Sequence, residues 1–296
     1  MSSCYPDIRQ KNLRSCIGQM EQTDPKNIIC SNGASELFFA IVRAICPSNA
    51  LVIAPCFFGY YYALESLFCK VEEYILSPDR EFEVNPDVLD YITDDTDVFF
   101  LAAPNNPTGR LIDEGLLADI YKKCQEKNCI LVTDACFHPL SNSGRLYGDI
   151  IVKAFTKVMS MPGVRLGYGI INDEVLRCKV SRQLPEWNVS IFAQEMGIAA
   201  AKYMAGSGFL KKSVEIIERE RQFLTDQLSD IGIRVFKSDT SFLLLYTKKD
   251  LYSGLLKKGI LIRDAANFSG LKRGYYRIAI RSRKDNIRLI EEIRKL

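Results

Sequence analysis

The stretch Val98-Phe-Phe-Leu-Ala-Ala-Pro-Asn-Asn-Pro-Thr-Gly109 passes from a short apolar run directly into a turn. Apolar runs of this length are typical of strands that are buried on both faces of a parallel sheet. Similar runs lie at residues 50–54, 129–133 and 149–153, and stretches of helical periodicity lie between them at 35–45, 58–67 and 114–127. This alternation predicts an α/β fold in which crossover helices join parallel strands.

The pattern changes beyond about residue 205. A long, charged, amphipathic segment predicts a helix at residues 210–228, and shorter strand-like and helix-like segments follow it. We therefore predict a large domain at residues 1–205 and a smaller C-terminal α+β domain at residues 206–296. The expected elements of the smaller domain are strands at 242–246 and 275–280 and helices at 251–258 and 283–296.

The composition is that of a globular protein with a sizeable core, since 47% of the 296 residues are hydrophobic and 25% are charged. The 39 basic and 36 acidic residues are spread along the chain and give a net charge of +3, so no basic face for nucleic acid is expected. No apolar run approaches the ~20 residues that a membrane helix needs. We therefore expect a small-molecule partner, with no nucleic acid and no membrane.

The ten cysteines are scattered and form no C-x-x-C pair, and His138 is the single histidine. This makes a metal site unexpected. A disulfide framework is not expected in a chain of this size, and Met1 runs directly into a polar segment without a secretory pattern. We expect the reducing cytoplasm.

Residues with chemical potential follow the predicted strands, where open parallel sheets place their ligand sites. Gly33 opens a helix whose first backbone amides would suit a phosphate, although a plain helix cap explains the same pattern. Asp134 and Lys157 follow later strands, and Arg165 stands eight residues beyond the lysine. Taken singly, these residues are an ordinary strand-end carboxylate and ordinary surface cations.

Taken together and in this order, they resemble the fold-type-I pyridoxal 5'-phosphate (PLP) enzymes of the class I and II aminotransferase superfamily. The resemblance implies the PLP-dependent transferase fold, with a mainly parallel central sheet that carries helices on both faces. Its motifs are the helix start Gly33-x-x-Glu36, the turn Asn106-Pro-Thr-Gly109, Asp134, Lys157 and Arg165.

The resemblance also implies roles for these residues. Lys157 holds the cofactor as a Schiff base and later acts as a base or acid. Asp134 raises the pKa of the pyridine nitrogen, and Asn106 donates to the ring hydroxyl. Phe57 stacks on the ring, with a core phenylalanine as the alternative. The phosphate is expected on the backbone amides of Ala34 and Ser35 next to Gly33, on Arg165 and on the Thr156 hydroxyl.

Substrate contacts are implied as well. Arg277 matches the clamp on the substrate carboxylate, with a snorkelling arginine as the alternative. Arg263 and Arg281 are expected to add charge for a phosphorylated substrate, and Arg283 is a third candidate. Tyr5 matches a tyrosine that reaches the cofactor phosphate of a partner subunit, which implies a homodimer with shared active sites. As an alternative, Tyr5 is an ordinary residue near the chain end.

Three segments are more similar to threonine-phosphate decarboxylase than to general aminotransferases, and they lie at residues 162–168, 187–194 and 262–271. The hypothesis is therefore a decarboxylase of a phosphorylated amino acid, with a histidinol-phosphate type of aminotransferase as the alternative. Two features depart from the family: Ala154 stands where a serine or threonine is usual, and the resemblance starts almost at Met1, without an earlier glycine-rich segment. A shortened PLP-binding homologue without turnover is the hypothesis of another class.

Overall fold

The computed structural model describes residues 3–142 and 144–296, and it confirms the expected α/β fold. The central sheet has seven strands, and β7 runs antiparallel to its two neighbours while the other neighbouring pairs are parallel. The strands are β1 (Ile28–Ser31), β2 (Asn49–Ala54), β3 (Lys70–Ile75), β4 (Val98–Ala102), β5 (Ile130–Asp134), β6 (Ile150–Ala154) and β7 (Gly167–Ile170), in the spatial order β1-β7-β6-β5-β4-β2-β3.

Helices cover both faces of this sheet. Leu37 and Ile41 of the helix after β1 lie in one apolar cluster with Val52 and Phe100, whereas Leu117 of a later helix lies in a cluster on the other face. Burial of these side chains is the main stabilising term of such a layered fold. The helices of this part are α1 (Lys11–Glu21), α2 (Ala34–Ile45), α3 (Gly59–Glu65), α4 (Glu114–Glu126), α5 (Phe155–Val158), α6 (Glu174–Ser181) and α7 (Ile191–Gly206).

A second, antiparallel sheet follows in the C-terminal part of the chain. Three helices share an apolar cluster with it, through residues such as Leu228, Leu255 and Ile293. Its strands are β8 (Arg234–Val235), β9 (Phe242–Tyr246), β10 (Arg263–Asp264) and β11 (Tyr275–Ala279) in the order β10-β11-β9-β8, and the helices are α8 (Phe209–Asp230), α9 (Leu251–Leu256) and α10 (Arg283–Arg294). The domain division near residue 205 stays a prediction.

The expected strands and helices agree with the structure to within a few residues, but some strands had no clear signal. β3 lies at the sheet edge, and apart from the buried Tyr74 its residues alternate between exposed and half-buried, while β8 and β10 have only two residues each. Such segments lack the apolar run that identifies a buried strand.

Two further observations concern residues 3–142 and 144–296. None of their helices combines the length and the apolar character that crossing a bilayer requires. Their histidine, cysteine, aspartate and glutamate side chains form no group of three that could hold a metal ion.

Candidate active site

The carboxyl ends of β4, β5 and β6 border a cavity of about 240 Å³. Parallel strands end at the same edge of the sheet, so residues that are far apart in sequence meet there. Most residues that the sequence singled out line this cavity. They are Ala34, Ser35, Phe57, Asn106, Asp134, Thr156, Lys157, Arg165 and Arg277.

The N-terminus of α2 and Arg165 form one end of this cavity. Gly33 precedes the helix with a positive φ of 78°, and a Cβ atom there would lie 2.4 Å from Nη2 of Arg165. Within the described residues, no side chain caps the first turn of α2. The backbone amides of Ala34 and Ser35 can therefore bind an anion together with the guanidinium.

Gly167 on β7 supports this anion site from behind. A Cβ atom at this position would lie 2.5 Å from the backbone nitrogen of Ala34 and 2.7 Å from the carbonyl carbon of Gly33. Both atoms belong to the backbone and cannot swing away as a side chain could. The absence of a side chain at Gly167 thus determines how closely the helix start approaches the sheet.

Asp134 presents a carboxylate to the cavity at the end of β5. Its Oδ2 accepts a hydrogen bond of 2.6 Å from the phenol of Tyr60, and its Oδ1 accepts one of 2.9 Å from the backbone N–H of Cys136. Burial raises the pKa of Asp134, and the two hydrogen bonds oppose that rise because they stabilise the charged form. The carboxylate is therefore held in one orientation.

Lys157 lines the cavity together with Arg165 and Arg277. Burial lowers the pKa of Lys157, and the positive charges of Arg277 and Arg165 lower it further. Its Nζ also lies 5.7 Å from the centre of the Phe137 ring. A lowered pKa makes the neutral, nucleophilic amine accessible at a lower pH than for a free lysine.

Arg277 on β11 connects the cavity to a larger cleft of about 980 Å³. Its guanidinium donates to Oδ1 of Asn106 and lies 5.1 Å from the centre of the Phe242 ring. Burial lowers the pKa of Arg277 to about 10, and the nearby charge of Arg263 adds to the effect. The cleft shares with the smaller cavity Phe137, Thr156, Lys157 and Arg277, and Arg263 and Tyr252 also line it.

The three candidate arginines for an additional anion have different positions. Arg263 lines the cleft and is the cross-strand neighbour of Arg277, so the two cations stand side by side. Arg281 forms an ion pair of 3.1 Å with Asp285 and is not among the residues that line the cleft. This geometry gives the expected substrate contact of Arg281 no support, and that contact stays a prediction.

Arg283 has a different partner as well. Its guanidinium donates to both carboxylate oxygens of Glu220, a carboxylate that lies almost completely buried on α8. This pair holds α8 against the start of α10 and is structural. Of the three candidate arginines, Arg263 is the one that lines the cleft.

Tyr5 lies away from the cavity in the single chain. It is 84% exposed, and its ring centre is 5.3 Å from that of Trp187. The expected role of Tyr5 toward a partner subunit stays a prediction. Ala154 does line the cavity, two residues before Thr156, and its methyl group provides no hydrogen-bond donor there.

A model of the family Aminotransferase class I and II matches residues 2–293. The chain belongs to this family. Threonine-phosphate decarboxylase of Salmonella typhimurium is 28% identical over 99% of the chain and 83% of that protein. Histidinol-phosphate aminotransferase of Methanosphaera stadtmanae is 30% identical over 99% of the chain and 82% of that protein.

A solved structure agrees with these sequence relatives. The histidinol-phosphate aminotransferase of Clostridium acetobutylicum superposes with a TM-score of 0.90 at 27% identity, covering 99% of this chain and 90% of that one. The resemblance that the sequence suggested is confirmed at the level of the family. The fold of this chain is that of its PLP-dependent structural neighbours.

Membership of the class I and II aminotransferases implies PLP, and the residues of the cavity fit it. A phosphate needs the free amides and guanidinium that meet at Gly33, and an aldehyde needs an amine such as Lys157. A pyridine nitrogen needs a fixed carboxylate such as that of Asp134. All three groups border one cavity, and Phe57 adds an aromatic ring to its lining.

Two residues that donate hydrogen bonds to Asp134 had no assigned role from the sequence. Tyr60 holds Asp134, and Cys136 lines the cavity beside it and donates its backbone N–H to the same carboxylate. The Tyr60 ring lies 5.7 Å from that of Phe57, three positions earlier in the chain. Five aromatic residues crowd positions 57–62, so the sequence did not distinguish Tyr60 from its neighbours.

Proposed function

We propose that this member of the class I and II aminotransferase family is a PLP-dependent decarboxylase of a phosphorylated amino acid, most like L-threonine-O-3-phosphate decarboxylase. The main supporting observation is the cavity around Lys157 that opens into a cleft with two adjacent guanidinium groups, Arg277 and Arg263. An amino acid phosphate carries two anionic groups, and two arginines provide charge-assisted contacts for them. Two relatives named for this activity match 99% of this chain and 83% of their own length.

The cofactor, when bound, supplies an electron sink for negative charge that develops at the substrate Cα. The protein residues then have separate tasks. Lys157 would hold the cofactor through Nζ, and the same amine would hold or donate the proton at the substrate Cα. Asp134 would keep the ring nitrogen protonated, and the amide nitrogen of Asn106 would donate to the ring hydroxyl, since the Asn106 oxygen accepts from Arg277.

A histidinol-phosphate type of aminotransferase is the second candidate. Its substrate also carries a phosphate and an amine, and the relatives that carry this name have similar identity and coverage. The same arginines would bind its phosphate. The discrimination depends on which bond to Cα is aligned for cleavage, and the residues of the cleft serve either reaction.

A PLP-binding homologue without turnover is the candidate of another class. It draws support from Ala154, which leaves the anion site with one hydroxyl donor fewer. The complete set of Lys157, Asp134, Asn106 and Arg277 around one cavity favours an active enzyme.

We further propose a homodimer with shared active sites, a division into two domains near residue 205 and a cytoplasmic location. Large apolar side chains stay exposed on α7 and near Tyr5, as expected for a surface that a second subunit covers. These exposed side chains include Trp187, Phe192, Met196 and Tyr203.

The cysteines support the proposed cytoplasmic location. All ten cysteines are free, which suits a reducing compartment.

Two experiments test the proposal. Purified protein with added PLP should show a visible absorption band, and borohydride should fix the cofactor to Lys157 but not to a Lys157→Ala variant. Incubation with O-phospho-L-threonine should release carbon dioxide. Formation of glutamate from histidinol phosphate and 2-oxoglutarate instead would favour the aminotransferase, and bound cofactor with no product would favour the homologue without turnover.

A further inference from the structure

A carboxylate outside the cavity connects the two sheets. Glu73 is half-buried on β3, and its Oε2 accepts a hydrogen bond of 2.6 Å from the hydroxyl of Ser269. Its Oε1 accepts a hydrogen bond from the phenol of Tyr61 on α3. In the part of the chain that the structure describes, Glu73 forms no ion pair with a lysine or arginine, so these two hydroxyl groups are its polar partners.

Ser269 belongs to the loop between β10 and β11 that also supports Arg263. The Arg263 guanidinium donates a 2.7 Å hydrogen bond to Oδ1 of Asn267 and lies 5.2 Å from the centre of the Phe268 ring. The three consecutive residues 267–269 thus contact Arg263 on one side and Glu73 on the other. A constraint on Ser269 therefore also constrains Asn267 and Phe268, the two residues that the exposed Arg263 contacts.

The other end of the connection lies next to the cofactor cavity. Phe57 lines that cavity, whereas the next residue, Phe58, has its ring centre 5.9 Å from that of Phe268 and 5.9 Å from that of Tyr61. One short segment before α3 therefore faces the cavity with one ring and the Arg263 loop with the other. The hydrogen bonds of Glu73 secure this contact.

We propose that Glu73, Tyr61 and Ser269 form a positioning bridge that holds Arg263 where it binds the phosphate of the substrate. The inference rests on the proposed function, because it requires Arg263 to contact that phosphate. Hydrogen bonds to an ionised carboxylate are stronger than neutral ones, and a loop fixed in advance loses less conformational entropy when the ligand binds. The three residues touch neither cofactor nor substrate and act through Arg263.

The test measures ligand affinity in the PLP-loaded protein by the change in visible absorption. Ser269→Ala, Tyr61→Phe and Glu73→Gln should each weaken binding of O-phospho-L-threonine roughly five- to tenfold, since the first two each remove a hydrogen bond to the carboxylate and the third removes its charge. Affinity for L-threonine, which lacks the phosphate, and for PLP should change less than about twofold. The matched controls are Tyr62→Phe and Glu72→Gln, exposed neighbours on the same two elements, which should resemble the parent protein.

A double-mutant cycle separates the bridge from a general structural role. In an Arg263→Gln background, Ser269→Ala should add less than about twofold, because the residue through which it acts is gone. An equal loss in both backgrounds, or an equal loss for L-threonine, would overturn the bridge. If Arg263→Gln alone has no effect, the proposed phosphate contact fails, and the bridge fails with it. If Arg263→Gln weakens binding but Ser269→Ala does not, the bridge alone fails.

Discussion

The phenol of Tyr60 donates a hydrogen bond of 2.6 Å to the carboxylate of Asp134, although 74 positions separate them in the sequence. Tyr60 is fully buried, and its ring stacks on that of Phe100 with a centroid distance of 5.4 Å. Hydrogen bonding and packing therefore act together to hold the carboxylate toward the cavity. The proposed contact between this carboxylate and the ring nitrogen of the cofactor depends on this orientation.

Tyr60→Phe should weaken PLP binding. The substitution keeps the packed ring and removes one hydrogen bond to a carboxylate, which contributes about 1.5–3 kcal/mol, so we expect the PLP Kd to rise roughly tenfold or more. The loss of that bond also raises the pKa of Asp134 further, so the affinity should fall at a higher pH on the acid side. Fluorescence titration with PLP at several pH values measures both effects, and Tyr62→Phe is the exposed control. An unchanged Kd would refute the role of Tyr60.

The pH dependence of cofactor attachment should report the environment of Lys157. Attachment requires the neutral amine, and the pKa of Lys157 lies below the ordinary 10.5, so the rate should reach its plateau at a lower pH than for a free lysine. Arg277→Gln removes a positive charge and should raise the midpoint toward 10.5 without fully restoring it, because burial is the larger cause. Absorbance recorded after mixing with PLP gives the rates. A midpoint that shifts downward in the variant would contradict this assignment.

Gly167→Ala should disturb the anion site, whereas Gly163→Ala should not. The new Cβ of Gly167→Ala would meet the backbone of Ala34 and Gly33 and push the start of α2 away, which costs about 1–3 kcal/mol of stability as an overpacked contact. A Cβ at Gly163 meets no atom within 4 Å among the described residues. Thermal unfolding and PLP titration of the two variants should therefore diverge. Equal unfolding temperatures and equal PLP affinities of the two variants would show that the start of α2 can move to accommodate the new Cβ atom.

Arg263→Gln should affect phosphorylated ligands, and Arg281→Gln should be nearly neutral. Arg263 lines the cleft beside Arg277, and loss of a charge-assisted contact should raise the KM for the phosphorylated substrate roughly tenfold or more. Arg281 is exposed and pairs with Asp285 four residues later, an interaction of about 0.3–0.5 kcal/mol. Steady-state kinetics on both variants provide the comparison. A larger effect of Arg281→Gln would reverse the assignment.

The sequence by itself determined the family, and it predicted the apolar strands that carry the site and the residues that follow them. Asn106, Asp134 and Lys157 each follow an apolar run, and parallel strands must end at one edge of the sheet, so local pattern and topology together place them in one cavity. The same reasoning could identify Gly33 and Arg165 as its anion site, because a helix start has free amides wherever it occurs.

The tertiary structure alone decided the contacts that do not follow from local pattern. Arg263 faces the cleft because the two-residue strand β10 pairs with β11 and sets it opposite Arg277, whereas Arg281 lies beyond the end of β11 and turns to Asp285. The partners of Asp134 and Glu73 come from distant segments, Tyr60 for one and Ser269 for the other. Short edge strands and long-range side-chain hydrogen bonds have no periodic signal in the sequence, since packing between elements creates them.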